Sequence, residues 1–386
     1  MANDKNFSIK NGLSVGTRYL QTGGTETAGT AAYNLGVASY DSKSFSVASQ
    51  DASPLGLTFN SDGTKVYIAG NTNDSFFQYS LSTAFDISTA SYDSVSFSVA
   101  SQDTGTANLV FNADGTKMYS VGRTNNSIYQ YSLSTAFDIS TASYDSVSFS
   151  LSGQLTTASR AWSMVFNNTG SKFYISRSST GVIFQYSMST AYDLSTTSYD
   201  SVSFSVDAQE PFLNGIAFNT DGTKLLASGF NTDSVHQYSL STAFDLSTAS
   251  YDNVIFDMSG QETEVRDIVF NNDGTKMYMI GTANDTIYQY STATYTQTLD
   301  LSTGSYFSFT PSGATTVSFT NAPASGKAVG FAVEINGDGS AITWPSSVKW
   351  PSGVAPTATA SKEVYAFVTT DGGTSYYGKL AGSDIA

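Results

Sequence analysis

The chain has 386 residues, no cysteine and a formal net charge of −15, with aromatic and charged residues at 13% each. Disulfides and thiolate metal sites are therefore excluded. No apolar run is long enough for a membrane helix, and no basic-then-apolar leader is expected at Met1. The acids concentrate in residues 36–297, 24 against 10 bases, so this region lacks the basic footprint that nucleic-acid phosphates require.

Residues 1–35 stand apart. Phe7-Ser8-Ile9-Lys10-Asn11-Gly12-Leu13-Ser14-Val15-Gly16 reads as a small hairpin around an Asn-Gly turn. So short a hairpin is not stable alone, and it is expected to dock on a partner. Gln21 to Thr30, rich in Gly and Thr, reads as a flexible linker.

Residues 36–297 are one unit written five times. Phe59-Asn60-Ser61-Asp62-Gly63-Thr64-Lys65 returns at Phe111, Phe166, Phe218 and Phe270, spaced 52 residues apart except for one step of 55. Gln78-Tyr79-Ser80 and Ser91-Tyr92-Asp93 recur with it. Leu57–Phe59, Val66–Ala69, Phe76–Tyr79 and Val95–Val99 read as four short strands separated by Asn/Asp/Gly turns. Four antiparallel strands per unit at this period make a propeller blade. A fourth-strand sequence, Ser44–Val47, precedes the first complete unit, and the last unit stops after its third strand at Tyr290. The leading strand is expected to complete the last blade, closing a five-bladed ring and protecting its edges.

Within the unit, the five recurring phenylalanines read as packing between blades. The long connection from Leu81 to Tyr92 is expected to fold its Phe and Ile over the blade's outer edge. His236 stands where sister copies carry Tyr129 and Tyr288, and reads as a tolerated surface substitution. The positions three before each inner phenylalanine, Gly56, Asn108, Ser163, Gly215 and Asp267, offer one carboxylate and one amide, too few oxygens for calcium. No catalytic residue, metal or cofactor is assigned.

The copies differ most in the segments joining each outer strand to the next inner strand, which the topology places on one face around the channel. The third is lengthened and carries Arg160 and Trp162. The next holds Glu210 and Phe212, and the last Arg266. Arg and Trp most often dominate binding energy at interfaces, so Arg160 and Trp162 lead among these segments, with the Trp344–Trp350 loop as the rival surface for ligand binding, slightly favoured over them.

From residue 298 to 386 the period stops. Tyr306–Phe309, Thr316–Phe319, Val329–Ile335, Ile342–Trp344, Val364–Thr369 and Ser375–Leu380 read as strands of a small β-sandwich. Trp344-Pro345 and Trp350-Pro351 bracket a loop that is either a lid on the core or a platform for stacking on a sugar.

Three stretches resemble structural proteins of tailed bacteriophages, particularly marine ones. Phe-Asn-x-Asp-Gly-Thr-Lys with Gln-Tyr-Ser-Leu-Ser-Thr-Ala-Phe-Asp-Ile-Ser-Thr-Ala-Ser-Tyr resembles the propeller repeats of tail-fibre-like proteins. Ile342 to Gly353 and Tyr365 to Thr374 resemble a terminal module of such fibres. Asn6 to Gly16 resembles the stretch by which they join a virion. The resemblance implies a tail fibre or spike on the virion surface, made in the host cytoplasm. It implies anchoring to other virion proteins through Phe7, Ile9, Leu13 and Val15, assembly as a homo-oligomer (a trimer foremost), and recognition of a host-surface glycan or protein. A head-decoration protein is the alternative. The repeat also resembles, more loosely, lactonase-like propellers, which would imply an enzyme.

Overall fold

The repeat folds locally because its turns are chemically specified. Asn60 to Thr64 closes the hairpin between Pro54–Phe59 and Lys65–Gly70. The Asp62 carboxylate accepts from the Thr64 backbone N–H at 2.9 Å and from its hydroxyl at 2.6 Å, while Gly63 takes a φ of 71°. A Cβ at Gly63 would lie 2.3 Å from the Phe85 ring, so conformation and packing both demand glycine. Ser75–Leu81 and Ala90–Ser98 add two further antiparallel strands. A bulge opposite the step from Gln78 to Tyr79 puts Ser94 at a φ of 59°.

The computed structural model describes residues 20–22, 25–28, 32–156, 158–311, 313–337 and 339–385. The fold is all-β. Five four-stranded antiparallel sheets form the blades of a five-bladed β-propeller, and the five inner strands neighbour one another in a closed cycle. The fifth sheet takes its outer strand from the front of the chain: Ser39–Ser46 pairs with Thr286–Ser291 in a register running from Thr286 opposite Ser46 to Ser291 opposite Ser39. The described residues divide into two units, 32–294 and a second that joins residues up to 28 with 295–385. The ring thus begins earlier than residue 36. Tyr33 packs on Phe270 with ring centroids 4.9 Å apart, and Leu35 is buried among Met258 and Met277.

The repeated polar triplets are staples. Lys65 Nζ and Gln78 Nε2 both donate to Asp93 Oδ2, at 3.0 and 2.9 Å, across three strands of one blade. The Gln78 side-chain carbonyl then accepts from the Ile139 N–H of the next blade, and Gln130, Gln185 and Gln289 repeat this toward Leu194, Leu246 and Ile87. Tyr67, Tyr119, Tyr174 and Tyr278 add a hydroxyl bond to a carbonyl in the neighbour's connection. These bonds explain where Ile87 goes. It is fully buried between blades rather than over the outer edge, because its N–H must reach the preceding blade's glutamine. The inner phenylalanines are half-buried rather than wholly core. Phe111 packs on Tyr67 of the preceding blade at 4.8 Å, and its exposed side lines the channel.

In the fifth blade the staple is completed by Asp41 of the leading strand, which accepts from Lys276 (2.8 Å), Gln289 (2.9 Å) and Ser291 (2.6 Å). Asp41 is 2% exposed, whereas the side chain of Asp93 is 16% exposed. Removing one partner of a buried ion pair strands the other, at roughly 3–5 kcal/mol, whereas exposed pairs contribute under about 1 kcal/mol. Asp41→Ala should therefore lower unfolding free energy in denaturant by about 3 kcal/mol, and Asp93→Ala by clearly less. Equal losses would show that the closing staple has no special weight.

The second unit packs two sheets around one core. The larger has the order Leu20–Thr22, Tyr306–Phe309, Val329–Asn336, Lys362–Thr369, Tyr376–Gly382, Val348–Lys349; the smaller runs Thr25–Ala28, Tyr295–Asp300, Thr315–Thr320, Ile342–Thr343. Phe307, Val317, Phe331, Val333, Tyr365 and Phe367 lie between them. The flexible linker expected over Gln21–Thr30 is in part strand: Thr25–Ala28 pairs antiparallel with Tyr295–Thr298. Threonine's preference for extended backbone suits that ladder. Phe7, Ile9, Leu13 and Val15 lie outside the described residues.

Candidate binding site at the variable-loop mouth

Each inner strand starts, and each second strand ends, at the face carrying the variable segments. Two rings of positions meet there. Leu55, Ala107, Trp162, Asn214 and Arg266 open the inner strands, and Asn71, Arg123, Ser178, Phe230 and Thr282 follow the second strands. The segments are held by buried acids. Asp51 accepts from the N–H groups of Ser53, Thr72 and Asn73. Asp103 and Glu262 do the same in their blades. Glu210, a sequence candidate for ligand binding, is another of these staples. It is fully buried, and its oxygens are taken by Phe212 N–H, Thr232 N–H and the Thr232 hydroxyl. A residue with its acceptors spent on backbone holds the loop and does not face a ligand.

Trp162, Arg266, Arg160 and Phe212 do lie at this mouth, joined by two residues that sequence comparison missed. The Arg123 guanidinium lies 4.7 Å above the Trp162 ring, with Arg266 5.7 Å from the same ring and 4.9 Å from Phe230. Phe230 and Phe212 pair at 5.0 Å, and they are 36% and 41% exposed. Such cation–π contacts stabilise by about 0.5–2 kcal/mol each and hold the cations in place. Burial, reinforced by Arg160 and Arg266, brings Arg123 down to about 10. Arg266 is also held by Glu264 at 2.8 Å and by the Thr282 hydroxyl at 2.8 Å. Arg160 is exposed, while Trp162 is nearly buried and presents little ring surface to a ligand. Arg123 and Phe230 could have been found by aligning the turns after the second strands, which vary as much as the longer segments.

Along the channel, Gly56, Asn108, Ser163, Gly215 and Asp267 meet as the spacing predicts. Asp267 accepts from Asn108 Nδ2 at 2.7 Å, Leu57 N–H at 3.1 Å, Ile268 N–H at 3.0 Å and Ser163 Oγ at 3.4 Å. A Cβ on Gly56 would lie 2.7 Å from the Ala107 carbonyl, so only glycine admits the neighbouring strand. Burial pushes the Asp267 carboxyl up to about 8. The arrangement is one carboxyl ringed by donors, the reverse polarity of a cation cage. Asn108, Ser163 and Asp267, with the five inner phenylalanines, line a cavity of about 460 Å³ that reaches the Asn60 and Asn112 turns on the opposite face.

His236 is not a surface substitution. It is 4% exposed, with Nε2 3.2 Å from the Thr232 hydroxyl that itself donates to Glu210. Burial lowers its pKa from the ordinary value. A depressed histidine pKa means that below about pH 6.5 the unfolded chain takes up a proton the folded chain resists, so stability falls as pH drops. His236→Phe, the residue type of Phe77 and Phe184 in sister copies, should shrink the loss of Tm between pH 7.5 and 5.5. An identical acid loss in the variant would contradict this.

In the second unit Trp344 is buried and packs against Tyr365 and Phe367 at 4.9 and 5.0 Å. It belongs to the core and is no stacking platform. Trp350 is half-buried and lines a shallow groove with Pro351, Val368 and Tyr377.

No family model matches the chain, and no curated protein does. Among solved structures it is similar to a functionally unknown protein from Desulfotomaculum acetoxidans (12% identity, 59% of this chain and 62% of that one, TM-score 0.38). It is also similar to a 6-phosphogluconolactonase candidate from Bacteroides uniformis (13%, 61% and 65%, TM-score 0.41). A third is the Cps50 (Swd1) β-propeller domain of Myceliophteria thermophila (10%, 63% and 97%, TM-score 0.38). The chain spans under two thirds of the length of the first two.

Proposed function

We propose that this protein is a structural component of a tailed-phage particle, a tail fibre or spike whose propeller recognises the host surface through the variable-loop mouth. One observation carries the recognition part. The segments in which otherwise near-identical blades differ converge on one end of the channel, where Arg160, Phe212 and Phe230 stand exposed. Loops on a rigid scaffold that diverge in the midst of repeated packing are suited to binding. The particle assignment is supported by the resemblance of the repeat, of Ile342 to Gly353 and of Tyr365 to Thr374 to fibre proteins. On this reading the segment containing Phe7, Ile9, Leu13 and Val15 joins other virion proteins and the chain assembles as a homotrimer. No chemical step is assigned to it.

The test is made on purified particles. Quantitative mass spectrometry should find the protein in a copy number divisible by three, immunogold should place it on the tail, and excess purified protein should slow adsorption. Its absence from the particle would overturn the reading. A head position with no effect on adsorption would replace recognition by decoration.

A further inference from the structure

The propeller uses its two kinds of cation differently. All six lysines, Lys43, Lys65, Lys117, Lys172, Lys224 and Lys276, reach a carboxylate within 2.6–3.0 Å, and each ties strands or blades together. The four arginines all lie toward the variable-loop face, and only Arg266 has a carboxylate partner among the described residues, Glu264. Arg177 stacks over Phe184, 5.4 Å from the ring centroid, while Arg123 and Arg266 lie over Trp162 and Arg160 is near enough to Arg123 to repel it. Glu264 offsets Arg266, and Asp103 and Asp74 act on Arg123 at longer range, but Arg160 has no carboxylate partner among the described residues, and the guanidinium groups repel one another, a cost that a bound anion lowers.

A second observation points the same way. The indole Nε1 of Trp162, in a side chain only 7% exposed, has no hydrogen-bond partner among the described residues, and neither does the buried Nε of Arg123. Arg123 Nη2 is satisfied by Asn71 Oδ1, and Asn214 Oδ1 on the next inner strand is also unpartnered, but neither meets the two orphan donors, which leaves them open to an acceptor from outside. The acids nearby bond neither orphan, and Asp74 acts on Arg123 only at longer range, without an ion pair. Asp103 is committed to the N–H groups of Thr124 and Asn125, and Glu210 to its own loop. Glu264 Oε2 is taken by Arg266 and the Thr282 hydroxyl.

We propose that the mouth formed by Arg123, Arg160 and Arg266 seats the anionic group of an acidic saccharide, with the Phe212–Phe230 pair against the apolar face of its ring. A sugar acid carries an anion and an apolar face within one residue, which matches a guanidinium 4.9 Å from an exposed phenylalanine. Arginine is the cation of choice for carboxylate, sulfate and phosphate groups alike, because its planar fork binds two oxygens at once. This inference rests on the recognition reading and names the ligand class of the same mouth.

The full chain is titrated by calorimetry with three probes of similar length: oligogalacturonate, a sulfated dextran oligosaccharide and a neutral maltooligosaccharide. At least one acidic probe should bind, more weakly as salt rises, and the neutral probe should not. Which acidic probe wins identifies carboxylate or sulfate. Arg160→Gln, on an exposed side chain that folding does not need, should weaken binding roughly tenfold, and adding Arg123→Gln should weaken it further. Failure of both acidic probes, equal binding of the neutral one, or unchanged affinity in both variants would overturn the inference. Host-cell binding separates it from the wider reading. If the arginine variants lose the acidic probe yet bind cells as wild type does, the saccharide is not the host ligand, and recognition then rests on Phe212 and Phe230 at the same mouth. If wild type takes the probe and binds no cells, the site stands and the recognition reading falls.

Discussion

A variant lacking residues 33–47 should yield no soluble propeller with a cooperative melt. The deletion strips the outer strand from the fifth blade and leaves the edge at Thr286–Ser291 open to pairing with other chains. It removes three buried anchors, Tyr33, Leu35 and Val47, together with the half-buried Tyr40. At about 1.5–3 kcal/mol per fully buried side chain, these alone approach 10 kcal/mol, comparable with the whole stability of an ordinary domain. Asp41 goes with them, stranding Lys276 beside Gln289 and Ser291. Aggregation on expression, or a melting transition lost altogether, is the expected result by light scattering and calorimetry. A soluble deletion variant melting at the wild-type temperature would refute closure by the leading strand.

The blades were legible because packing between near-identical neighbours forces the same residues to return at one spacing. The phenylalanine, Gln-Tyr-Ser and Ser-Tyr-Asp positions are the ones that touch the next blade or staple their own. Other features were hidden for physical reasons. Tyr33-Asn34-Leu35 does the work of Phe85-Asp86-Ile87 and of Tyr192-Asp193-Leu194, but Asn34 in place of the Asp, and Gly36-Val37 in place of the Ser-Thr that follows, mask the likeness. The strand Thr25–Ala28 owes its place to partners beyond residue 294, a separation that no local pattern reports. Glu210 reads in sequence like a free acid in a variable segment, and only its bonds to Phe212 and Thr232 reveal a loop staple. Arg123 lies in a short turn between strands, and its place over Trp162 depends on the neighbouring blade. Trp344 and Trp350 look equivalent beside their prolines, yet one enters the core and the other borders a groove.

Loss of host-cell binding on changing the variable-loop mouth is the second large effect expected, and the same assay decides the central claim. Arg160→Ala/Phe212→Ala removes two exposed side chains at that mouth without touching Trp162 or the loop staple Glu210. Trp350→Ala/Tyr377→Ala disables the rival groove of the second unit, which Trp344, being buried, does not serve. Arg and aromatic anchors each contribute about 2 kcal/mol or more where they dominate an interface, so the first pair should weaken binding about thirtyfold if one of them is such an anchor and about a thousandfold if both are. Labelled wild-type protein and both variants, each with an unchanged Tm, are titrated onto whole host cells and scored again for slowing phage adsorption. Binding lost in the mouth variant and kept in the groove variant is the predicted result. Binding kept in the mouth variant, whatever the groove variant does, would contradict recognition through the propeller mouth.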